Sequence, residues 1–436
     1  MTPSPARVLM VHQNYPGQYL HLAPALRDRG HQLVALGAAG ARATAGIPLR
    51  RYDPSPAGGI PPCHPWLADT QAKVIRGEAV GLVVRQLLDE GFAPDLVIGH
   101  PGWGELLALP DLLPGVPVLH QQEFVYRTEG ADYGFDPAVD PPDWAGGTRV
   151  RLRRSLQLHA LDTFRCGVTP TWFQWSSVPG PYRDRVQVIH EGVDTARITP
   201  QAPEGESDEL RLANRGLVIG QGEELVTFVN RNLEPMRGFH TFLRMLPLLQ
   251  ELRPKARVVV IGGDGISYGN PPPGGGSWRT WLLRELEGRI ALDRVHFVGR
   301  VPPRVLHAVF RLSRCHVYLT VPFVLGWSML EAMACGAVVV GSRTPPVQEV
   351  LDHGVNGLLV DFFDHEALAR QVAEVLAEPA RFQPLAEAAR RTVVDRYDLR
   401  SRSLPALLAL VDQLLAGSGP VPMEPPASLA PLLLPG

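Results

Sequence analysis

Apolar positions along the chain fall into two alternating patterns. Short unbroken apolar runs occur at RVLMVH (7–12), QLVALG (32–37), PDLVIGH (94–100) and PGVPVLH (114–120). The second half repeats them at LVTFVNR (225–231), RVVVIGGDG (257–265), VHFVGRV (295–301), HVYLT (316–320) and AVVVGS (337–342). Between these lie longer stretches in which apolar residues recur every third or fourth position, such as 21–31, 73–91, 149–164, 240–252 and 303–313. Continuous apolar runs predict fully buried strands, and their alternation with amphipathic helices predicts parallel sheets covered on both faces. The expected fold class is α/β, with two facing Rossmann-like doubly wound domains and a site in the cleft between them.

The boundary is expected near VIHEGVDTARITP (188–200), an extended run closed by a proline. This gives a domain 1–194, a domain 195–400, and a helix at 401–416 packing back on the first domain. Residues 417–436, rich in proline and small residues, predict a disordered tail, although its leucine cluster could dock. The stretch PPPGGGS (271–277) is a flexible insertion, either a lid or a disordered surface loop.

Composition excludes some function classes. At 436 residues and a net charge of −2, the chain is not a general binder of nucleic acid or of membrane surfaces, although a local basic patch is compatible with that balance. Only Lys73 and Lys255 are lysines among 42 basic residues, so a single arginine carries little meaning by identity alone. Cys63, Cys166, Cys315 and Cys335 are far apart and fit reduced thiols rather than a disulfide framework or a zinc site. The N-terminal apolar run is too short for a signal peptide, and no stretch reaches the length of a membrane span. The expected location is cytoplasmic, with weak peripheral association at the inner face of the membrane.

The segment VPFVLGWSMLEAMACG (321–336) carries the most chemistry. A buried strand runs into a turn at Gly326, and the following helix presents Glu331 early. Unsatisfied N–H groups at such a helix start suit phosphate, and a nearby carboxylate suits sugar hydroxyls. Together they describe a pocket for a sugar nucleotide; an ordinary strand–turn–helix with Glu331 on the surface is the alternative. In NRNLEPMRGF (230–239), Arg231 and Arg237 at a strand's C-terminal edge could clamp a diphosphate and neutralise a departing charge. An ordinary arginine-rich loop is the competing reading.

These motifs, in this order, resemble the retaining glycosyltransferases of family 4, which have the GT-B architecture. The likeness runs over roughly residues 5–415. In that family two glutamates stand eight positions apart before an LEAMA-type helix. Leu330-Glu331-Ala332-Met333-Ala334 and Gly326 match, whereas Phe323 occupies the first glutamate position, which puts recognition of the donor sugar in doubt. The combination of HQNYPGQ, HPGWGE, NRNLEP and PFVLGWSMLEAMACG is similar to a bacterial subgroup with this modification.

What the resemblance implies is specific. Glu331 would hold the ribose, and Arg231 and Arg237 the diphosphate. Gly17, Gly262, Gly263, Val298, Arg300, Leu325, Trp327 and Ser328 would complete the donor site with Phe323 and Gly326. Glu349 and Gly357 match a further family turn. A histidine after an N-terminal-domain strand would contact the transferred sugar, with His120 or His100 in that role. Transfer would proceed with retention and without a metal; no DxD motif is visible, and Asp361 and Asp364 are spaced differently. The donor would be a UDP- or GDP-sugar, with no cofactor, and the acceptor a carbohydrate or glycolipid. Aromatics in the loops of the first half (Tyr15, Tyr19, Trp103, Phe124, Tyr126, Tyr133) suit stacking on sugars, so Tyr15 and Trp103, with Glu105 and Glu123, are acceptor candidates. A sugar-nucleotide epimerase and a catalytically inactive sugar-nucleotide-binding subunit are the competing functions. An NAD-dependent oxidoreductase is disfavoured because the GxGxxG fingerprint is missing.

Overall fold

The structure is a computed structural model describing residues 5–56, 59–203, 209–212 and 216–435. The chain forms two compact units. Unit 1 comprises Met1–Tyr133, Pro142–Glu191 and Arg400–Gly436; unit 2 comprises Gly134–Pro141 and Gly192–Leu399.

Unit 1 holds seven parallel strands: β1 (Arg7–Val11), β2 (Gln32–Gly37), β3 (Leu49–Arg51), β4 (Leu96–Gly99), β5 (Val118–Gln121), β6 (Cys166–Thr169) and β7 (Val186–Val188). Their order across the sheet is β3-β2-β1-β4-β5-β6-β7. The central strands are buried on both faces, which is why they read as unbroken apolar runs rather than alternating ones. The helix Leu404–Leu415 belongs to this unit. Leu407, Leu410, Val411 and Leu414, spaced for one helical face, enter the cluster that contains Val8, Leu26 and Leu119.

Unit 2 begins with an antiparallel pair, β8 (Leu210–Leu212) and β9 (Leu217–Ile219). Six parallel strands follow: β10 (Leu225–Asn232), β11 (Arg257–Gly263), β12 (Val295–Gly299), β13 (Cys315–Tyr318), β14 (Val338–Ser342) and β15 (Leu358–Val360). They run in the order β12-β11-β10-β13-β14-β15. In each unit the strand order reverses once, between β1 and β4 and between β10 and β13. Loops leaving adjacent strands diverge there, opening a crevice at the carboxyl ends where ligands bind in doubly wound sheets.

Two expectations need correction. Residues 134–141, placed by sequence in the first domain, belong to unit 2. Phe135 packs on the rings of Phe362 and Phe363 at 5.3 Å, Asp136 lies 2.9 Å from His240 Nε2, and Asn270 donates to Asp140 at 3.1 Å. The residues 417–435, expected to be disordered, lie along unit 1. The Val421 carbonyl accepts from Gln187, Leu434 N–H donates to Ser176 Oγ at 2.9 Å, and Leu434 is buried. Proline forbids a long helix but leaves its carbonyls free to accept, and one well-seated leucine suffices to hold an extended chain.

Candidate functional site

At the unit 2 switch point, β10 gives way to one tight turn, Pro235–Arg237, before the helix Phe239–Leu252. Gly238 closes that turn at φ +65°, and a Cβ there would strike Leu319. Only glycine brings the turn so close to the end of β13. Arg237 is consequently buried, with Nη1 donating to Thr320 Oγ1 at 2.8 Å and to the Val324 carbonyl at 2.7 Å. Arg231, in contrast, is exposed near the C-terminal end of β10. The two arginines differ in kind: Arg237 braces the turn preceding Glu331, while Arg231 stands in solvent.

The loop after β11 is held by a group that the sequence reading overlooked. Glu234 is 1% exposed, and its carboxylate accepts the backbone N–H groups of Ser267, Tyr268 and Gly269 at 3.1–3.2 Å. Charged acceptors form the stronger class of hydrogen bond, so this contact orders the loop. Asn232 adds a bond to Ser267 Oγ at 2.8 Å and accepts from Arg300 at 2.9 Å, tying the ends of β10, β11 and β12 together. A Cβ on Gly262 would meet the Asn230 carbonyl at 2.8 Å, and one on Gly263 would meet Asn232 Oδ1 at 2.7 Å. Close approach within the protein itself, rather than room for a ligand, accounts for these two glycines. Val298 is buried in β12 beside them.

Tyr268 is thereby set over the turn. Its ring meets Phe323 edge to face at 5.1 Å, and the Arg237 guanidinium lies 5.5 Å from its centre. Phe323 is 3% exposed, so a buried aromatic pair fills the position at which the resemblance expects a glutamate. Leu325 is buried, and Gly326 N–H donates to Tyr318 OH at 2.6 Å, spending one donor of the helix start on the protein. The helix Trp327–Ala334 then opens with a partly exposed Trp327, and Ser328 Oγ donates to the Val229 carbonyl at 3.3 Å. Glu331 lies in its second turn, 3.6 Å from His307 Nε2. Glu349 is largely buried, and Gly357 packs against Leu351.

Unit 1 gathers a second cluster where β1, β4 and β5 end. His12 follows β1; its Nδ1 accepts Asn14 N–H at 3.0 Å, so the proton is on Nε2, which donates to Gln18 at 2.5 Å. Gly17 takes φ +48°, and any Cβ there would overlap the His12 ring. This is the local reason for glycine in HQNYPGQ, and it brings into the cluster His12, which periodicity could not single out. His100 follows β4 and stacks on Trp103 at 3.8 Å. Its Nδ1 accepts Gly102 N–H at 3.1 Å, leaving Nε2 toward Glu123 at 3.4 Å. Trp103 also meets His12 edge to face at 4.9 Å.

Other candidates lie behind this cluster. His120, 2% exposed, stacks on Phe164 at 5.2 Å, and burial pushes it down to about 3, so it is a neutral packing residue. Glu105 is 1% exposed and accepts from Tyr52 OH at 2.8 Å; burial raises its pKa. Tyr15, Tyr19 and Phe124 are buried as well. These side chains are core, and the acceptor roles expected of Tyr15 and Glu105 do not fit their burial. Among the described residues no group of His, Cys, Asp or Glu could hold a metal ion, and no helix is long and apolar enough to cross a membrane.

Comparison with known proteins places the chain. The model of the "Glycosyl transferase family 4 group" matches residues 29–198, and that of "Glycosyl transferases group 1" matches residues 213–392. The chain belongs to the family 4-type glycosyltransferases. D-inositol 3-phosphate glycosyltransferases are among its relatives. That of Mycolicibacterium vanbaalenii is 31% identical over 70% of this chain and 62% of its own length. That of Salinispora arenicola is 30% identical over 55% and 52%. The chain thus spans about half the length of the curated relatives it matches.

Solved structures of like fold include a sucrose-phosphate synthase from Thermosynechococcus elongatus, with a TM-score of 0.71 and 18% identity over 95% of this chain and all of that one. Anabaena HepE in complex with UDP and glucose gives 0.63 and 17%, over 93% and 99%. As a family 4-type glycosyltransferase, the chain has the two doubly wound domains of the GT-B fold.

Proposed function

We propose that this chain moves a sugar from a nucleoside-diphosphate sugar, UDP- or GDP-linked, to a carbohydrate or glycolipid acceptor, with retention at the anomeric carbon and no metal. The observation carrying the reading is the brace between Arg237 and the turn at Thr320 and Val324, at the switch point of unit 2. It fixes a turn and a helix start beside exposed Arg231, the arrangement a diphosphate needs. In this reading Arg231 meets the diphosphate directly and offsets the charge gathering on the leaving group. Arg237 positions the turn, and Glu331 accepts from the ribose. In unit 1, half-buried Trp103 and Glu123 contact the sugars, and the buried rings of His100 and His12 orient them. Complexes of HepE with UDP and with UDP-glucose support the choice of donor class.

A second reading, an inactive sugar-nucleotide-binding subunit, rests on the burial of Phe323 where a sugar-contacting carboxylate would stand. Calorimetric titration with UDP, GDP and their hexose conjugates, followed by product analysis with oligosaccharide and lipid-linked acceptors, separates the two. Binding with transfer supports the enzyme, binding without turnover supports the subunit, and no binding of any nucleotide sinks both.

A further inference from the structure

His307 has no task in the transfer reading, yet it faces the carboxylate on which that reading depends. It lies in the second turn of the helix Pro303–Leu312, which leads into β13. Leu306, Val309 and Phe310 pack into the core from that helix, and His307 sits at the flank of their face. Across from it, Glu331 and Cys335 stand four positions apart and so share a face of the helix Trp327–Ala334 and its cap. Both reach His307. Cys335 Sγ donates to its carbonyl at 3.8 Å, and Glu331 Oε1 lies 3.6 Å from its Nε2. The two side chains are 18% and 21% exposed, so the pair is mostly out of water. His307 Nε2 is itself buried and has no hydrogen-bond partner among the described residues. Buried nitrogens are nearly always paired, and this one stops a few tenths of an ångström short of a carboxylate.

We infer that His307 is the positioning residue for Glu331: its Nε2–H closes onto Oε1 when a nucleotide is bound, and Oε2 is thereby presented to a ribose hydroxyl. This deepens the transfer reading and rests on the ribose role given there to Glu331. A free glutamate side chain loses rotamer freedom when it is aimed at one hydroxyl, which weakens the grip. A fixed donor on one carboxylate oxygen removes that freedom beforehand and leaves the other oxygen to accept, since each can take its own hydrogen bond. The ring serves in either charge state, because Nε2 keeps its proton in the imidazolium and in the tautomer that a carboxylate neighbour selects. Arg311, one turn further along the same helix, also acts on this face, its charge lowering the pKa of the Cys335 thiol while that of Glu331 raises it. A diffuse positive charge there would attract any anion; it would not aim one oxygen. The consequence of the pairing is selectivity for a ribonucleotide over its deoxy form.

The test is titration of the full chain with UDP and GDP, each beside its 2′-deoxy and 3′-deoxy forms. The wild-type chain should prefer the ribonucleotide by roughly ten- to a hundred-fold over the form lacking the gripped hydroxyl, the span of one hydrogen bond to a charged group. His307→Phe keeps a ring but no donor, and should shrink that preference at least about three-fold, chiefly through lost affinity for the ribonucleotide. His307→Gln places an amide N–H close to where Nε2 stands and should restore most of it. Melting curves establish that each variant is folded, and His307→Ala replaces the phenylalanine variant if that one is not. Equal loss of affinity for ribo and deoxy forms in His307→Phe, or a glutamine variant no better than phenylalanine, makes the ring mere packing and overturns the inference. So does a preference lost in Arg311→Gln and kept in His307→Phe. If Glu331→Gln erases the preference while His307→Phe keeps it, the inference falls alone. If the wild-type chain shows no preference, or Glu331→Gln retains it, the ribose role of Glu331 falls and takes the inference with it.

Discussion

Arg237 Nη1 lies 2.7 Å from the carbonyl oxygen of Val324, and this bond, with those from Arg237 to Thr320 Oγ1 and from Val321 N–H to the Met236 carbonyl, joins the turn after β10 to the turn after β13. The guanidinium is buried, so removing it takes the donor from the Val324 carbonyl and from Thr320 Oγ1, whose own proton still goes to the Val321 carbonyl at 3.1 Å. Arg237→Ala should therefore cost about 2–4 kcal/mol of stability and weaken nucleotide binding together. Arg231→Ala, at an exposed site, should leave the melting midpoint unchanged and weaken UDP binding by roughly 1.5–3 kcal/mol. Paired melting and titration experiments read this contrast directly. Equal behaviour of the two variants would remove the division between a brace and a clamp.

Glu234 is expected to be the anchor of the loop after β11. Glu234→Gln keeps the shape but replaces a charged acceptor, so the three amides it holds should exchange faster with deuterium. The protection of Ser267, Tyr268 and Gly269 should fall by roughly ten-fold or more, since bonds to a charged group each contribute about 1.5–3 kcal/mol. Unchanged exchange at those amides would show that the loop is held by Asn232 and its own packing.

The sequence pattern revealed β1, β2, β4, β5 and β10 to β14, which are largely buried and read as apolar runs; β3, β6, β7 and β15 are three or four residues long and are not among those runs, and β3 is mostly exposed. The positions of Arg231 and Arg237 were legible too, as a motif at a strand end. Their different fates were not, because burial of Arg237 depends on Gly238 letting the turn approach Leu319, a contact far away in sequence. Glu234 sat inside the quoted motif and was passed over, since its partners are backbone amides that leave no mark on residue identity. His12 escaped for a related reason: its signal is Gly17, whose missing side chain makes room for the ring. The tail misled because composition reports what cannot form a helix, and says nothing of what one buried leucine can hold.

Acid should destabilise the fold through its buried histidines. Burial holds His120 and His316 down to about 3 and His190 to about 4, against 6.5 when unfolded. Between those limits the unfolded chain binds protons that the folded one refuses, so stability falls as pH drops from about 6.5. Each such group contributes a slope of about 1.4 kcal/mol per pH unit across its window. His120→Asn should flatten the slope by one proton's worth. It should also leave the pH profile of transfer unchanged, because a neutral ring packed on Phe164 has no part in it. Loss of transfer in a folded His120→Asn protein would restore it as a candidate for the chemistry.

Recognition of the transferred sugar should rest on Tyr268. Where a carboxylate would otherwise accept from sugar hydroxyls, Phe323 is sealed beneath the Tyr268 ring, and the Arg237 guanidinium lies 5.5 Å from that ring's centre. A sugar attached to a diphosphate held beside this turn comes within reach of the ring before it reaches Phe323. Tyr268→Ala should then weaken binding of the matching sugar nucleotide by roughly 1–2 kcal/mol, the scale of one lost aromatic contact, and leave free UDP or GDP almost unaffected. Tyr268→Phe should retain the stacking part of that difference and lose any part that belongs to the hydroxyl. Phe323→Glu places a carboxylate under the same ring about 6 Å from a buried guanidinium, so it should fold with a lower melting midpoint. If the free nucleotide and its sugar conjugate lose affinity equally in Tyr268→Ala, the ring supports the loop and does not read the sugar.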